Sequence, residues 1–161
     1  MTDKFPEAGE ASIDIDAAPE VVWELVADIT RMGEWSPECH QVRWLDGATS
    51  PAKVGARFKG FNKYDWLKWS VKCEVKVADP ERELAWSTLR GNREMVRWRY
   101  ILEPAEGGAE LTESFECIWL PLDARLAEDY LMRDRDRRRQ DAMRTTLERI
   151  KAAAEAPAPT G

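Results

Sequence analysis

The sequence predicts an α+β fold, a curved antiparallel sheet of about seven strands with two short helices and one long C-terminal helix. Three observations carry this. From residue 39 onward, apolar and polar residues alternate in runs separated by Asp-Gly, Asp-Pro, Gly-Asn and Gly-Gly turns. From about Asp123 to Ala154 there is no Gly or Pro, and Ala, Leu, Arg, Glu, Met and Lys dominate. The chain also holds eight tryptophans, several on the apolar side of predicted strands, so large rings must line a core or a pocket.

The first element, Glu10 to Asp16, alternates Ala11, Ile13 and Ile15 against Ser12, Asp14 and Asp16, the pattern of a strand with one buried face. A helix follows, with Pro19 in its first turn, Glu20 near its positive end and an apolar stripe of Val21, Val22, Leu25 and Val26. A second short helical turn spans Ile29 to Trp35 and ends at Ser36-Pro37. Strands are then expected at Cys39 to Leu45, Gly55 to Asn62, Trp66 to Ala78, Glu83 to Leu89, Val96 to Leu102 and Glu110 to Trp119. Their short connections make neighbours antiparallel, and their alternation leaves one face buried and one wet. The final helix, roughly 45 Å long at 1.5 Å per residue, is the one element able to cover the buried face.

With 161 residues, 43% hydrophobic and 34% charged, the chain has the make-up of one soluble globular domain. We place it at residues 10–155, with flexible tails at 1–9 and 156–161. The formal net charge of -6 argues against nucleic acid as a partner, and the arginines between 133 and 139 are interleaved with Asp134 and Asp136. Cys39, Cys73 and Cys117 are odd in number and far apart, so neither a disulfide framework nor a zinc or redox pair is expected. No secretory signal is visible, and no run approaches the roughly 20 apolar residues of a membrane span. A cytoplasmic protein without stable membrane insertion, a monomer or homodimer, is the expectation.

Four segments resemble the START/Bet v 1-like superfamily and, within it, the bacterial polyketide cyclase/dehydrase and lipid-transport (SRPBCC) group. They are Ile15 to Trp23 with Asp28 and Trp35-Ser36-Pro37-Glu38; Gly55 to Asn62; Trp98 to Pro104 with Gly107-Gly108 and Leu111 to Glu116; and Thr146 to Lys151. The resemblance implies a helix-grip fold in which sheet and long helix enclose a cavity. It also implies binding or transport of a hydrophobic small molecule such as a lipid, polyketide or aromatic metabolite. The alternative is a polyketide aromatase/cyclase or dehydrase using a cavity acid or base, and a more distant one is a co-chaperone-like interaction module. Fold alone does not choose among them.

For the cavity wall the alternating strand positions nominate Phe58, Trp69, Trp86, Trp98 and Tyr100, with Asn62 and Thr88 as polar groups able to orient a ligand. On the last strand, Glu113 shares a side with Leu111, Phe115 and Cys117, while Thr112, Ser114 and Glu116 form the other row. Which row faces inward is open. A buried Glu113 would have a raised pKa and could serve as acid or base, but pairing with Arg93, Arg97 or Arg99 is the expectation. On the long helix, one line runs from Leu126 through Tyr130, Arg133 or Asp134, Arg137, and Gln140 or Asp141 to Met143, Leu147 and Ile150. Its charged middle either bridges solvent or crosses the cavity, where Arg133, Arg137 or Gln140 would meet a polar ligand head; Tyr130 on the same line is a further ligand-binding candidate. The single histidine, His40, lacks a fixed partner and cannot build a His-rich metal site. No metal or cofactor is expected, and no residue is assigned as catalytic. The turns around Lys63 to Trp66 and at Gly91-Asn92 are candidate lips of the cavity.

Overall fold

In the computed structural model, which describes residues 8–132 and 134–157, all seven strands join one antiparallel sheet. The elements run β1 (Ala8–Ile15), α1 (Pro19–Ala27), a 3-10 turn (Ile29–Arg31), α2 (Met32–Trp35), β2 (Cys39–Trp44), β3 (Arg57–Tyr64), β4 (Leu67–Asp79), β5 (Glu83–Arg90), β6 (Arg93–Ala105), β7 (Gly108–Cys117), α3 (Leu122–Leu131) and α4 (Arg135–Glu155). The strand order is β1-β7-β6-β5-β4-β3-β2. Each strand from β2 to β6 pairs with its successor, and β1 closes against β7. The expected tails fall largely on residues 1–7 and 158–161, outside the described residues. Ala8 and Gly9 belong to β1 rather than to a tail. Gly9 lies opposite Phe115, and a Cβ there would stand 2.7 Å from the Phe115 ring, so its missing side chain makes room for that ring.

The period-2 pattern places Phe58, Val75, Leu84, Trp86, Tyr100, Leu102 and Leu111 in one core with Val22, Val26 and Trp35 of the helical pair and Leu147 and Ile150 of α4. Helix α2 packs on β2 where Gly33 sits; a Cβ there would come 2.3 Å from the His40 carbonyl oxygen. Asp28 accepts hydrogen bonds from Thr30 and from Ser50 Oγ at 2.5 Å, and Ser50 in turn accepts from Trp44 Nε1 at 3.0 Å. This chain pins the loop between β2 and β3 to the end of α1. At the far end, α4 is tied to β1 by Lys151 donating to the Asp14 carbonyl and by Asp16 N–H donating to Glu155.

The C-terminal helix departs from expectation in one respect. It is broken between α3, which ends at Leu131, and α4, which starts at Arg135; Met132 is non-helical (φ -113°, ψ 78°) and Asp134 left-handed (φ 55°). No Gly or Pro announces this break. Aspartate is among the few side chains that tolerate the left-handed region, so the backbone can turn here at modest cost. The turn buries Met132 in the cavity wall and starts α4 afresh with Arg135 against Glu38.

Candidate functional site

Between the concave face of the sheet and the helices lies a cavity of about 580 Å³, within the roughly 300–1,000 Å³ typical of ligand sites. Its walls follow from strand register. Trp86 of β5 stands opposite Trp98 of β6, which stands opposite Phe115 of β7, so three rings cross the sheet in one row. The Trp98 and Phe115 rings lie 5.4 Å apart, and Trp86 lies 5.3 Å from Tyr100. Phe58, Gly60 and Asn62 of β3 face the same space, as do Trp69 and Cys73 of β4 and Thr88 of β5. Helix α3 contributes Ala124, Ala127 and Glu128, and α4 contributes Arg135, Arg139, Met143 and Thr146. Of the candidate lips, Leu67 and Lys68 beside the first turn and Arg90 and Gly91 of the second line the cavity. Trp66, at the tip of the first, is 73% exposed.

Thus the structure brings Phe58, Asn62, Trp69, Trp86, Trp98, Tyr100 and Glu113 to one cavity. The open question about β7 is answered by burial: Leu111, Glu113 and Phe115 face inward. Among the described residues, Glu113 has no arginine partner. Arg97 and Arg99 alternate to the other face of β6, where they meet Glu94 and Glu83, and Arg93 lies over the Trp119 ring. Glu113 is 6% exposed, its Oε2 has no hydrogen-bond partner, and burial pushes its carboxyl up to about 8. It is therefore mostly protonated at neutral pH. Burial, with Glu113 nearby, also holds the Tyr100 phenol well above its ordinary value.

Two helix candidates are corrected. Tyr130 is 76% exposed and the Arg137 side chain 74% exposed, and neither lines the cavity. At about 100° per residue, Arg137 lies about 120° around the helix from Met143, whereas Arg139 lies only about 40° from it. Stepping back from Met143 by three residues leads away from the cavity, and stepping by four leads along it. Arg133 lies outside the described residues. His40 is exposed on β2 and does not line the cavity.

What the sequence reading missed is a buried charge network in the helical wall. Arg135 donates both terminal nitrogens to Glu38, at 2.5 and 2.7 Å, with its guanidinium 5.2 Å from the Tyr64 ring. Arg139 donates through Nη2 to Glu128 Oε1 at 3.2 Å and lies over the Phe115 ring at 4.8 Å. Glu128 Oε1 is also 3.9 Å from Arg135 Nε. The Nε atoms of both arginines and Oε2 of Glu128 lack hydrogen-bond partners. Burial raises the Glu128 carboxyl against the opposing pull of Arg139 and Arg135. Burial, reinforced by Arg135, lowers the Arg139 guanidinium. Both members of that pair are shifted toward their neutral forms, so desolvation outweighs their attraction.

A family profile described as polyketide cyclase/dehydrase and lipid transport matches residues 8–155. The chain belongs to this family. Among solved structures, this family member is similar to a polyketide-cyclase-like protein of Corynebacterium glutamicum, with 36% identity, coverage of 92% of this chain and 89% of that one, and a TM-score of 0.56. It shares its fold with the protein CV1439 of Chromobacterium violaceum, at 18% identity over 94% of this chain and 100% of that one, with a TM-score of 0.65. It also shares it with the di-domain ARO/CYC StfQ of the steffimycin biosynthetic pathway, at 13% identity, 92% of this chain against 50% of that one, and a TM-score of 0.70. No curated protein matches the chain significantly. Among the described residues no helix is long and apolar enough to cross a membrane.

Proposed function

We propose that this protein binds a hydrophobic small molecule, a lipid, polyketide or aromatic metabolite, inside the cavity between sheet and helices. The observation that carries the reading is the cavity itself, about 580 Å³, whose sheet wall is built from Phe58, Trp69, Trp86, Trp98 and Tyr100 and whose helical wall carries Glu128, Arg135 and Arg139. Binding would draw on removal of the ligand's apolar surface from water, at roughly 25 cal/mol per Å². The lack of a disulfide among the three cysteines suits a reducing cytoplasm. Native mass spectrometry after incubation with an extract of source cells tests the reading. A discrete adduct released as a hydrophobic compound on denaturation supports it, and a protein that stays bare across repeated extracts counts against it.

Glu113 favours a second reading, an enzyme of the aromatase/cyclase or dehydrase kind. A carboxyl held at about 8 in an apolar wall can donate a proton to a carbonyl or hydroxyl at neutral pH and return it. In this reading Glu113→Gln abolishes turnover of a poly-β-keto substrate while binding is retained. Turnover that survives the substitution refutes a role for Glu113.

A further inference from the structure

The helical wall shows which polar group the cavity ligand must carry. Arg139 is 6% exposed, lines the cavity, and has one carboxylate neighbour at hydrogen-bond distance, Glu128. That contact uses a single nitrogen at 3.2 Å, while Nε of the same guanidinium and Oε2 of the same carboxylate have no partner. By contrast, Glu38 takes Arg135 through both oxygens at 2.5 and 2.7 Å. A fork made for two oxygens is thus satisfied by one. The carboxylate that occupies it sits on α3, a helix with no buried residue. Among the contacts that hold α3 are this Glu128 hydrogen bond and an exposed pair between Arg90 and Asp123 at 3.2 Å.

Resting on the cavity-binding reading above, we propose that the ligand carries a carboxylate, which takes the Nε and Nη2 edge of Arg139 and displaces Glu128. The apolar body then lies along Trp98 and Trp86, because the Arg139 guanidinium sits over the Phe115 ring beside Trp98. In this proposal Glu128 holds the position on Arg139 that the ligand carboxylate takes. Its displacement removes one of the contacts that hold α3 against α4, so loading loosens that helix. A hydrocarbon ending in an alcohol or amide satisfies the fork less well and leaves Glu128 in place.

The test compares 2-naphthoate with 2-naphthamide, which match in shape and differ in charge, by isothermal titration calorimetry at pH 7.5. Naphthoate should bind about tenfold more tightly or better. In Arg139→Gln that preference should vanish while naphthamide affinity stays within about twofold. Glu128→Gln, which removes the competing carboxylate, should tighten naphthoate by about three- to tenfold and leave naphthamide unchanged. Hydrogen exchange in residues 122–131 should quicken with naphthoate and not with naphthamide. Equal affinity for the two probes, or a preference that survives Arg139→Gln, overturns the carboxylate assignment while leaving the cavity reading intact. Should Arg139→Gln not fold, Glu128→Gln decides: weaker naphthoate binding there overturns the assignment. If neither probe binds the unaltered protein, both readings fall together.

Discussion

Replacing Glu113 by Gln should stabilise this protein at neutral pH, and by more as the pH rises. Glu113 ordinarily titrates near 4.5 and does so at about 8 in the fold, with burial as the cause. The folded chain therefore holds a proton that the unfolded chain has released. Below about pH 4.5 both states are protonated and the carboxyl costs nothing. Between the two values each pH unit removes about 1.4 kcal/mol from folding stability, and above about 8 the loss levels off. The accumulated penalty is about 3 kcal/mol at pH 7 and about 5 kcal/mol at pH 9. That is a sizeable share of the roughly 5–15 kcal/mol that holds a domain together. Glutamine keeps the shape and a donor but never ionises. Urea unfolding of both proteins at unit steps from pH 5 to 9 gives the difference directly, since every other titrating group cancels. The gap should be under about 1 kcal/mol, apart from a constant offset, at pH 5 and climb with the stated slope. A gap that stays flat across the range, or shrinks with pH, refutes the claim that Glu113 is an unpaired buried acid.

Three further outcomes are expected. Phe58→Ala removes a ring 1% exposed in edge contact with Trp44, and should cost about 3–5 kcal/mol in urea unfolding. Gly33→Ala drives a methyl toward the His40 carbonyl oxygen at 2.3 Å, a backbone atom that cannot step aside alone, and should cost about 1–3 kcal/mol by the same measurement. At the helix break, Asp134→Val places a β-branched side chain at φ 55° and should cost about 1–2 kcal/mol, seen as a lower Tm, while Asp134→Gly stays within about 0.5 kcal/mol of the parent. A valine variant as stable as the parent would show that Asp134 is not held in the left-handed conformation.

The sheet was legible because a strand reports its buried face at every second residue. Val96, Trp98, Tyr100 and Leu102 could be read inward from β6 alone, and β5 and β7 then follow from register. On β7 a carboxylate and two rows of mixed character left the choice open, and only burial of Leu111 and Phe115 decided it. The helical wall was harder. Period 3.6 allows steps of three or four, and a string of charged residues gives no apolar marker to choose between them. Arg135 and Arg139 were one step away from the line traced, and the signal that finds them is the position of Met143 counted back in fours. The break at 132–134 left no composition signal beyond an aspartate, since the sequence there is made of good helix formers. Glu128 could not be found without the break, because it is the turn at Asp134 that lets α3 fold this half-buried carboxylate back onto α4.

The two polar poles of the cavity depend on being apart. Burial alone sets the Glu113 carboxyl, with no arginine offsetting it, whereas Arg139 and Arg135 are engaged with Glu128 and Glu38 in the helical wall. Were a guanidinium beside Glu113, the carboxyl would ionise and could no longer donate. Keeping them separate allows one cavity to offer a cation to one end of a ligand and a neutral acid further along its body. A simple carrier gains from the first and has little use for the second, which taxes stability at every pH above 4.5. Binding and turnover therefore separate the two readings at one residue. If Glu113→Gln is more stable and binds its ligand as before with no reaction lost, the acid is incidental to a binding protein. If the same substitution leaves binding intact and stops a chemical step, the stability cost of Glu113 is the cost of holding a proton ready in an apolar wall.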